Sequence, residues 1–169
     1  MFRSIRMVIF DVDGVLTDGS ITLDDAGIEA KSFSVLDGTG IKYLLLMGIK
    51  VAFLTGRQSV AVALRARELG VDDVHQGAKE KLEAYYRIVE KHGLRDEEVC
   101  YVGDDLPDIP VLRRVGLPVA VADARDEVKR LCRYVTAAPG GRGAGREVAE
   151  NILKEQGKWE SVLARYLQG

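Results

Sequence analysis

The sequence predicts an α/β fold, a doubly wound parallel sheet of the Rossmann-like type, built as a single domain over residues 1–169. Short apolar runs suited to buried strands alternate along the chain with segments of helical periodicity. Several of the helical segments are followed by a glycine, which suits the left-handed position after a helix end, at Gly48, Gly70, Gly93 and Gly116. No linker, internal repeat or low-complexity tract divides the chain.

The elements follow one another in the order strand, helix, strand. Apolar runs predict strands at residues 7–10, 50–54, 73–75, 99–102 and 119–121, with a weaker candidate at 134–135. Periodic segments predict helices at residues 38–47, 59–69, 79–92, 108–115 and 126–132. A parallel sheet built in this way binds its ligand in the crevice at the carboxyl ends of its strands.

Two segments interrupt this order. Residues 20–35 alternate apolar and polar residues on either side of the turn "DDAG", which predicts a small inserted β-hairpin. Such a hairpin would serve as a lid or as an assembly surface. Residues 137–146 are rich in glycine, which predicts a flexible tail before a C-terminal helix that begins near Arg146.

The composition favours small-molecule or subunit partners. The formal net charge of −2 provides no basic field for nucleic acid or for an anionic membrane surface. The two cysteines show no metal-type spacing and suit a reducing cytoplasm. No stretch approaches the 18 or so apolar residues of a membrane span, and the N-terminal apolar run is too short for a signal peptide. The expected location is the cytoplasm.

Polar side chains gather where the predicted strands end. Asp11 and Asp13 follow the first strand, "LTGR" brings Thr55 and Arg57 after the second, and the fourth strand leads into "GDDLPD". That last motif contributes three carboxylates, and "HQGAKEK" places two lysines at the start of a helix; these residues are Asp104, Asp105, Asp108, Lys79 and Lys81. Because parallel strands end at one sheet edge, these groups form an oxygen-rich site suited to magnesium.

One carboxylate of such a site can also react. A phosphoryl group held by magnesium, a hydroxyl and a lysine is open to in-line attack by a carboxylate, which gives an aspartyl-phosphate that water hydrolyses. A second carboxylate two residues on can protonate the leaving alcohol and later deprotonate water. This pattern predicts Asp11 as the nucleophile and Asp13 as the general acid and base.

Four motifs in this order resemble those of the haloacid dehalogenase superfamily of phosphotransferases. They are "DVDGVLTDG", "LTGR", the lysine after "QG" and "GDDLPD". Over nearly its whole length the chain is similar to the bacterial 3-deoxy-D-manno-octulosonate 8-phosphate phosphatases, with further matches at "FSVLDGTGI", "VAVADA" and "GGRGAGREV". The resemblance implies hydrolysis of that sugar phosphate during lipopolysaccharide precursor synthesis. It also implies a haloacid dehalogenase type fold without a large cap domain.

The resemblance assigns roles to individual residues. It implies a magnesium site made by Asp11, the backbone carbonyl of Asp13, and Asp104. It makes Thr55 a phosphoryl contact and selects Lys81, rather than Lys79, as the lysine that neutralises phosphate. Asp105 and Asp108 would support the metal site without binding the metal directly. The sugar acid would be met by one short segment, residues Ser34, Val35, Leu36, Asp37 and Gly38, and by Arg57 and Arg65. Arg142 is a further candidate contact.

The resemblance further implies a homotetramer in which hairpins pack together and neighbouring subunits help to close each active site, with Arg142 a candidate for reaching a neighbour's site. The family often has asparagine at the position of Ser34 and arginine at that of Leu36, which leaves the selectivity for the sugar open. Two alternative functions are kept. One is a phosphatase for a nine-carbon, sialic-acid-like 9-phosphate. The other is a non-catalytic regulatory module of a sugar-nucleotide synthetase, against which the intact catalytic set argues. A phospho-receiver domain fits poorly, because there the acidic pair follows the first strand and the phosphorylated aspartate the third.

Overall fold

The computed structural model describes residues 1–167 and confirms the α/β class with a parallel sheet. Within those residues, six strands form one sheet in the order β5, β4, β1, β6, β7, β8, and two more form a separate antiparallel hairpin. The strands are β1 (Met7–Phe10), β2 (Thr22–Leu23), β3 (Glu29–Ala30), β4 (Lys50–Leu54), β5 (Asp73–His75), β6 (Val99–Gly103), β7 (Leu117–Ala120) and β8 (Tyr134–Val135).

The helices of residues 1–167 include five of nine residues or more and two single turns of α-helix. They are α1 (Val35–Leu46), α2 (Val60–Leu69), α3 (Lys81–His92), α4 (Ile109–Leu112), α5 (Asp126–Lys129), α6 (Ala144–Glu155) and α7 (Trp159–Leu167). The third long predicted helix begins two residues late, at Lys81. The predicted helix at 108–115 is reduced to α4 and a preceding 3-10 turn, Leu106–Asp108, with prolines in the first turn of each.

The sheet places β1 at its centre. All four residues of β1 are fully buried, and β1 pairs in parallel with β4 on one side and with β6 on the other. The chain therefore runs outward from β1 through β4 to β5 and then returns to the other side of β1 with β6. A ligand crevice forms at such a reversal of strand order, because the loops on the two sides diverge.

The inserted hairpin is smaller than predicted. Its strands β2 and β3 have two residues each, and the turn between them is closed by Asp24, which accepts hydrogen bonds from the backbone N–H groups of Ala26 and Ile28. The hairpin segment also ends one residue early, because Ser34 caps α1 by accepting from the N–H of Leu36 and so places Val35 in the helix.

The glycine-rich segment 137–146, predicted as a flexible tail, is packed against the loop after β1. The N–H of Gly141 donates to the carbonyl of Val15 at 2.8 Å, and a Cβ on Gly140 would lie 1.8 Å from the carbonyl oxygen of Gly14. Helix α6 begins at Ala144, two residues earlier than predicted. The segment is therefore a fitted part of the fold, and only a residue without a side chain fits at Gly140.

None of the helices between residues 1 and 167 is both long and apolar enough to cross a membrane.

Candidate active site

The carboxyl ends of β1, β4 and β6 surround an open cavity of about 360 Å³. Its walls carry most of the residues that the sequence predicts for catalysis. The lining residues are Asp11, Asp13, Gly19, Thr55, Gly56, Arg57, Lys81, Asp104, Asp105, Pro107 and Asp108. The sheet topology thus brings together side chains that are almost a hundred positions apart in the sequence.

Asp11 lies directly after β1 and is 6% exposed. Its backbone N–H continues the β1–β6 pairing by donating to the carbonyl of Val102 at 3.0 Å. Its Oδ1 accepts from the N–H of Val12 at 2.7 Å and lies 3.0 Å from Lys81 Nζ. The carboxylate is therefore held in one orientation at the floor of the cavity.

Lys81 connects two carboxylates beneath the cavity. Its ammonium group contacts Asp11 at 3.0 Å and Asp108 Oδ1 at 2.7 Å, and the lysine is 6% exposed. Asp108 also accepts from Tyr101 at 2.6 Å and, through Oδ2, from the N–H groups of Asp104 and Asp105. Asp108 thus positions both the lysine and the loop that carries Asp104.

Asp104 offers an unsatisfied oxygen next to Asp11. Its Oδ1 is buried and has no hydrogen-bond partner, although burial of such an oxygen is costly. Its Oδ2 lies so close to Gly14 that a Cβ there would come within 2.1 Å, and Gly14 has a φ of 88°. Both the close approach and the left-handed backbone require glycine at this position.

The carboxylates of this site repel one another. Burial, followed by repulsion from Asp108, raises the pKa of Asp11 to about 7 against the opposing effect of Lys81. Burial, followed by repulsion from Asp11, raises the pKa of Asp104 to about 8. Oxygens of Asp11, Asp104 and Asp108 lie within 4.8 Å of one another. This donor set fits a hard divalent cation, which would satisfy Asp104 Oδ1 and cancel the repulsion.

Asp13 lies at the cavity wall, with a side chain that is 19% exposed. Its Oδ2 accepts from Thr55 Oγ1 at 3.4 Å, and its Oδ1 pairs with Lys31 of the hairpin. Thr55 is buried at the end of β4, so the loops after β1 and β4 meet here. The side chain of Asp13 is not part of the acidic cluster of Asp11, Asp104 and Asp108.

The residues predicted to meet the sugar acid do not all face this cavity. Arg57 does, and it donates to Glu29 of the hairpin at 2.5 Å. The Arg57 guanidinium, followed by Lys31, lowers the pKa of Glu29 to about 2. A second cavity, of about 460 Å³, begins at Asp18, next to Gly19 of the first; it is lined by Asp18, Ser32, Phe33, Ser34, Leu36, Gly141 and Arg142.

Three of the residues predicted to contact the sugar, Asp37, Gly38 and Arg65, contact other residues of the protein. Asp37 is 2% exposed and caps α6 by accepting from the N–H groups of Gly143 and Arg146. Arg65 donates to the carbonyl of Ser34 at 3.2 Å and packs against Gly38, where a Cβ would meet its guanidinium at 2.2 Å. These contacts fasten the start of α1 to α2 and α6. Val35 is 77% exposed at the surface.

Sequence reasoning missed four residues that build the site: Gly14, Glu29, Lys31 and Tyr101. A signal existed for the two hairpin residues, because Glu29 and Lys31 are two positions apart on a strand-like segment and so point to the same face. No sequence pattern indicated Tyr101, because it lies in a buried strand whose residues are otherwise apolar.

Known proteins share this arrangement. The family model of the haloacid dehalogenase-like hydrolases matches residues 34–116. A 3-deoxy-D-manno-octulosonate 8-phosphate phosphatase of Escherichia coli strain K12 is 48% identical over 160 residues, which cover 95% of this chain and 85% of the relative. The chain belongs to the haloacid dehalogenase-like hydrolases. The recognition made from the four motifs is therefore confirmed, as is the expected hydrolase class.

Two solved structures resemble this hydrolase closely. A probable YrbI family phosphatase from Pseudomonas syringae superposes with a TM-score of 0.97 at 44% identity, covering 99% of this chain and 96% of the other. A 3-deoxy-D-manno-octulosonate 8-phosphate phosphatase from Moraxella catarrhalis superposes with a TM-score of 0.95 at 38% identity, covering 98% and 95%. The second structure is a complex with a magnesium ion, a phosphate ion and the sugar acid.

The raised pKa values predict how magnesium affects stability. Because the folded, metal-free hydrolase holds protons on Asp11 and Asp104 above their usual pKa, its stability falls as the pH rises from about 4 to about 8. Magnesium binds the deprotonated carboxylates, so at saturation it should raise the melting temperature by about 5–10 °C at pH 8 and much less at pH 5. Thermal unfolding at both pH values, with and without magnesium, measures the shift in melting temperature. Asp104→Asn is the control. Equal stabilisation by magnesium at pH 5 and pH 8 would contradict the prediction.

Proposed function

We propose that this hydrolase is a magnesium-dependent phosphomonoesterase that converts 3-deoxy-D-manno-octulosonate 8-phosphate into the free sugar acid and phosphate. The observation that carries the proposal is the buried, unpartnered Oδ1 of Asp104 beside Asp11, at an open cavity that a lysine supplies with positive charge. The substrate follows from the similarity to the Escherichia coli phosphatase and from the sugar acid bound by the Moraxella catarrhalis relative.

Asp11 would attack the phosphorus atom. A carboxylate oxygen of Asp11 forms the new bond to phosphorus while the bond from phosphorus to the sugar oxygen breaks, which gives an aspartyl-phosphate. Lys81, 3.0 Å from Asp11, orients the nucleophile and neutralises charge on the phosphoryl oxygens. Thr55, at the end of β4, would donate a hydrogen bond to the same oxygens, in exchange for its long contact with Asp13.

Asp13 would move the proton. It donates a proton to the departing sugar oxygen and then takes one from the water that hydrolyses the aspartyl-phosphate. Asp11, Asp104 and the backbone carbonyl of Asp13 would hold magnesium, which supplies positive charge to the phosphate when bound. Asp108 would keep Lys81 and the loop of Asp104 in place, because its carboxylate accepts four hydrogen bonds.

The sugar acid would extend from the phosphate end towards Arg57 at the rim. Arg57 is 46% exposed and lies in the wall of the main cavity, and Arg142 is exposed in the adjacent cavity. Both cations are placed to meet a carboxylate, whose planar geometry matches a guanidinium. Ser34 and Leu36 line the same adjacent cavity. Asp37, Gly38 and Arg65 would not touch the sugar but would hold the start of α1 in position.

We also propose a homotetramer assembled through the hairpin, with neighbouring subunits closing each active site. The hairpin exposes Ile21, Leu23 and Ile28 by 51%, 60% and 66%, and apolar patches of this kind mark protein interfaces. A second copy of this hairpin offers the matching surface. The cytoplasm, where lipopolysaccharide precursors are made, is the proposed location.

Charging the hairpin surface should disrupt the assembly. Ile28→Asp would place an unpaired carboxylate in the interface, which costs more than the apolar contacts it replaces. We expect the mass in solution, measured by light scattering during gel filtration, to fall from four chains to one or two. Leu131→Asp, at an exposed apolar residue away from the hairpin, is the control. A wild-type chain that is already monomeric would contradict the proposal.

A panel of sugar phosphates tests the substrate. Phosphate release is measured for the octulosonate 8-phosphate, a nine-carbon 9-phosphate and simple hexose phosphates, each with magnesium and with a chelator. We expect the highest kcat/KM for the octulosonate 8-phosphate and no turnover with the chelator. Faster hydrolysis of the nine-carbon compound would identify the alternative substrate, and no release from any compound would favour a non-catalytic regulatory module.

A further inference from the structure

A row of ion pairs joins the hairpin to the catalytic loops. Lys31, directly after β3, pairs through its ammonium group with Asp13 and lies 3.0 Å from Glu29 Oε1. Glu29, within β3, pairs through Oε2 with Arg57 Nη2 at 2.5 Å. The row Asp13, Lys31, Glu29, Arg57 therefore connects the loop after β1, the hairpin and the loop after β4.

Burial separates Lys31 from an ordinary surface lysine. Its side chain is 1% exposed, whereas that of Arg57, at the other end of the row, is 46% exposed. A lysine is buried to this degree only where carboxylates compensate its charge, and here Asp13 and Glu29 do so. Arg57 is open to a ligand, but Lys31 is enclosed by its two partners and is not placed to contact a substrate.

The contacts of Lys31 fix the orientation of Asp13. One oxygen of Asp13 pairs with Lys31, and the other accepts from Thr55 Oγ1 at 3.4 Å. Without the ammonium group, Asp13 would face Glu29 across the space that Lys31 leaves. Two carboxylates in that position repel each other, so Asp13 would turn to a different rotamer.

We propose that Lys31 is a positioning residue, which together with Glu29 sets the side chain of Asp13, so that the inserted hairpin completes the catalytic site of its own chain. This inference rests on the proposed role of Asp13 as the general acid and base. The hairpin then has a function within the single chain that is separate from its apolar outer surface.

The proton that Asp13 delivers matters most for a poor leaving group. An alkoxide such as that of a sugar must be protonated as its bond to phosphorus breaks, whereas p-nitrophenolate leaves readily as the anion. The ratio kcat/KM covers the reaction up to and including this first transfer. Loss of Lys31 should therefore lower kcat/KM for alkyl phosphates much more than for p-nitrophenyl phosphate.

The experiment compares Lys31→Met, Lys31→Arg and Glu29→Gln with the wild type in saturating magnesium. We expect Lys31→Met to lower kcat/KM about 100-fold for the octulosonate 8-phosphate and for ethyl phosphate, and less than about 5-fold for p-nitrophenyl phosphate. Lys31→Arg, which keeps the charge, should recover part of the loss, and Glu29→Gln should give a smaller change in the same direction. Lys50→Met, at an exposed lysine on the opposite sheet edge, should leave all three values unchanged.

Equal losses for alkyl and aryl phosphates, or no loss at all, would overturn the proposal. If Lys31→Met does not fold, as judged by circular dichroism, Lys31→Arg and Glu29→Gln decide the question by the same ratio. A wild-type chain that ignores the octulosonate 8-phosphate but hydrolyses ethyl and p-nitrophenyl phosphate would refute the proposed substrate and still leave the test of Lys31 intact.

Discussion

Asp11→Asn is expected to abolish turnover while the fold stays intact. The amide is a far weaker nucleophile than the carboxylate, and removal of a covalent nucleophile lowers kcat by roughly 10⁴-fold or more. The fold should survive because asparagine keeps the shape of the side chain, can still accept from the N–H of Val12, and removes one of the repelling charges. Phosphate release and circular dichroism together measure this outcome.

The matched control is Asp72→Asn, which makes the same change at an exposed aspartate before β5, at the other end of the sheet. This variant should keep wild-type kcat and KM. Substantial activity in Asp11→Asn would show that another group attacks the phosphorus atom, and the assignment of the nucleophile would then be wrong.

Lys81→Met should weaken both catalysis and stability. The change leaves Asp11 and Asp108 buried without their shared cation, and breaking a buried ion pair on one side costs about 3 kcal/mol or more in the free energy of unfolding. The lost charge next to the phosphoryl group should lower kcat by about 10²–10³-fold. Urea unfolding in a chelator and phosphate release in magnesium measure the two effects.

Lys79→Met provides the comparison. Lys79 is exposed and precedes α3, so its replacement should change the free energy of unfolding by less than about 0.5 kcal/mol. It should also leave kcat unchanged. If Lys79→Met lost the activity and Lys81→Met kept it, the choice between the two lysines would be reversed.

The sequence was sufficient to predict which carboxylates meet at the sheet edge, for a physical reason. Asp11, Thr55 and Asp104 each follow a buried apolar run, and parallel strands end at one edge whatever their separation in the chain. Strand order did not have to be known, since β1, β4 and β6 carry the polar residues and the remaining strands carry few. The apolar patterning thus determined both the fold class and the place of these carboxylates.

The surroundings of the centre could not be predicted, because they depend on close packing between loops. Nothing in the periodicity of β6 shows that Tyr101 reaches Asp108, or that Lys31 and Glu29 turn inward from a hairpin that exposes large apolar side chains. Asp37 was predicted as a sugar contact because the segment that contains it resembles the one that meets the sugar acid in the family. In the structure its carboxylate caps α6, and that contact depends on the tertiary packing of α1 against α6.

The close packing of residues 137–146 could not be predicted from their glycine-rich composition. Glycine indicates mobility when considered alone, yet here it permits close approach to the loop after β1, where Gly14 already requires a left-handed backbone. The same residue type thus serves packing at Gly140 and backbone geometry at Gly14. Only the three-dimensional structure distinguishes these uses from a flexible tail.

Chemical trapping of the phosphorylated residue tests the central proposal most directly. The hydrolase is mixed with the octulosonate 8-phosphate and magnesium, quenched in acid within milliseconds, and treated with borohydride, which reduces an acyl phosphate to the alcohol. We expect mass spectrometry to find this reduction at Asp11 and at no other carboxylate, and only when substrate and magnesium are both present. Reduction at Asp13 or Asp104, or unmodified Asp11 during active turnover, would contradict it.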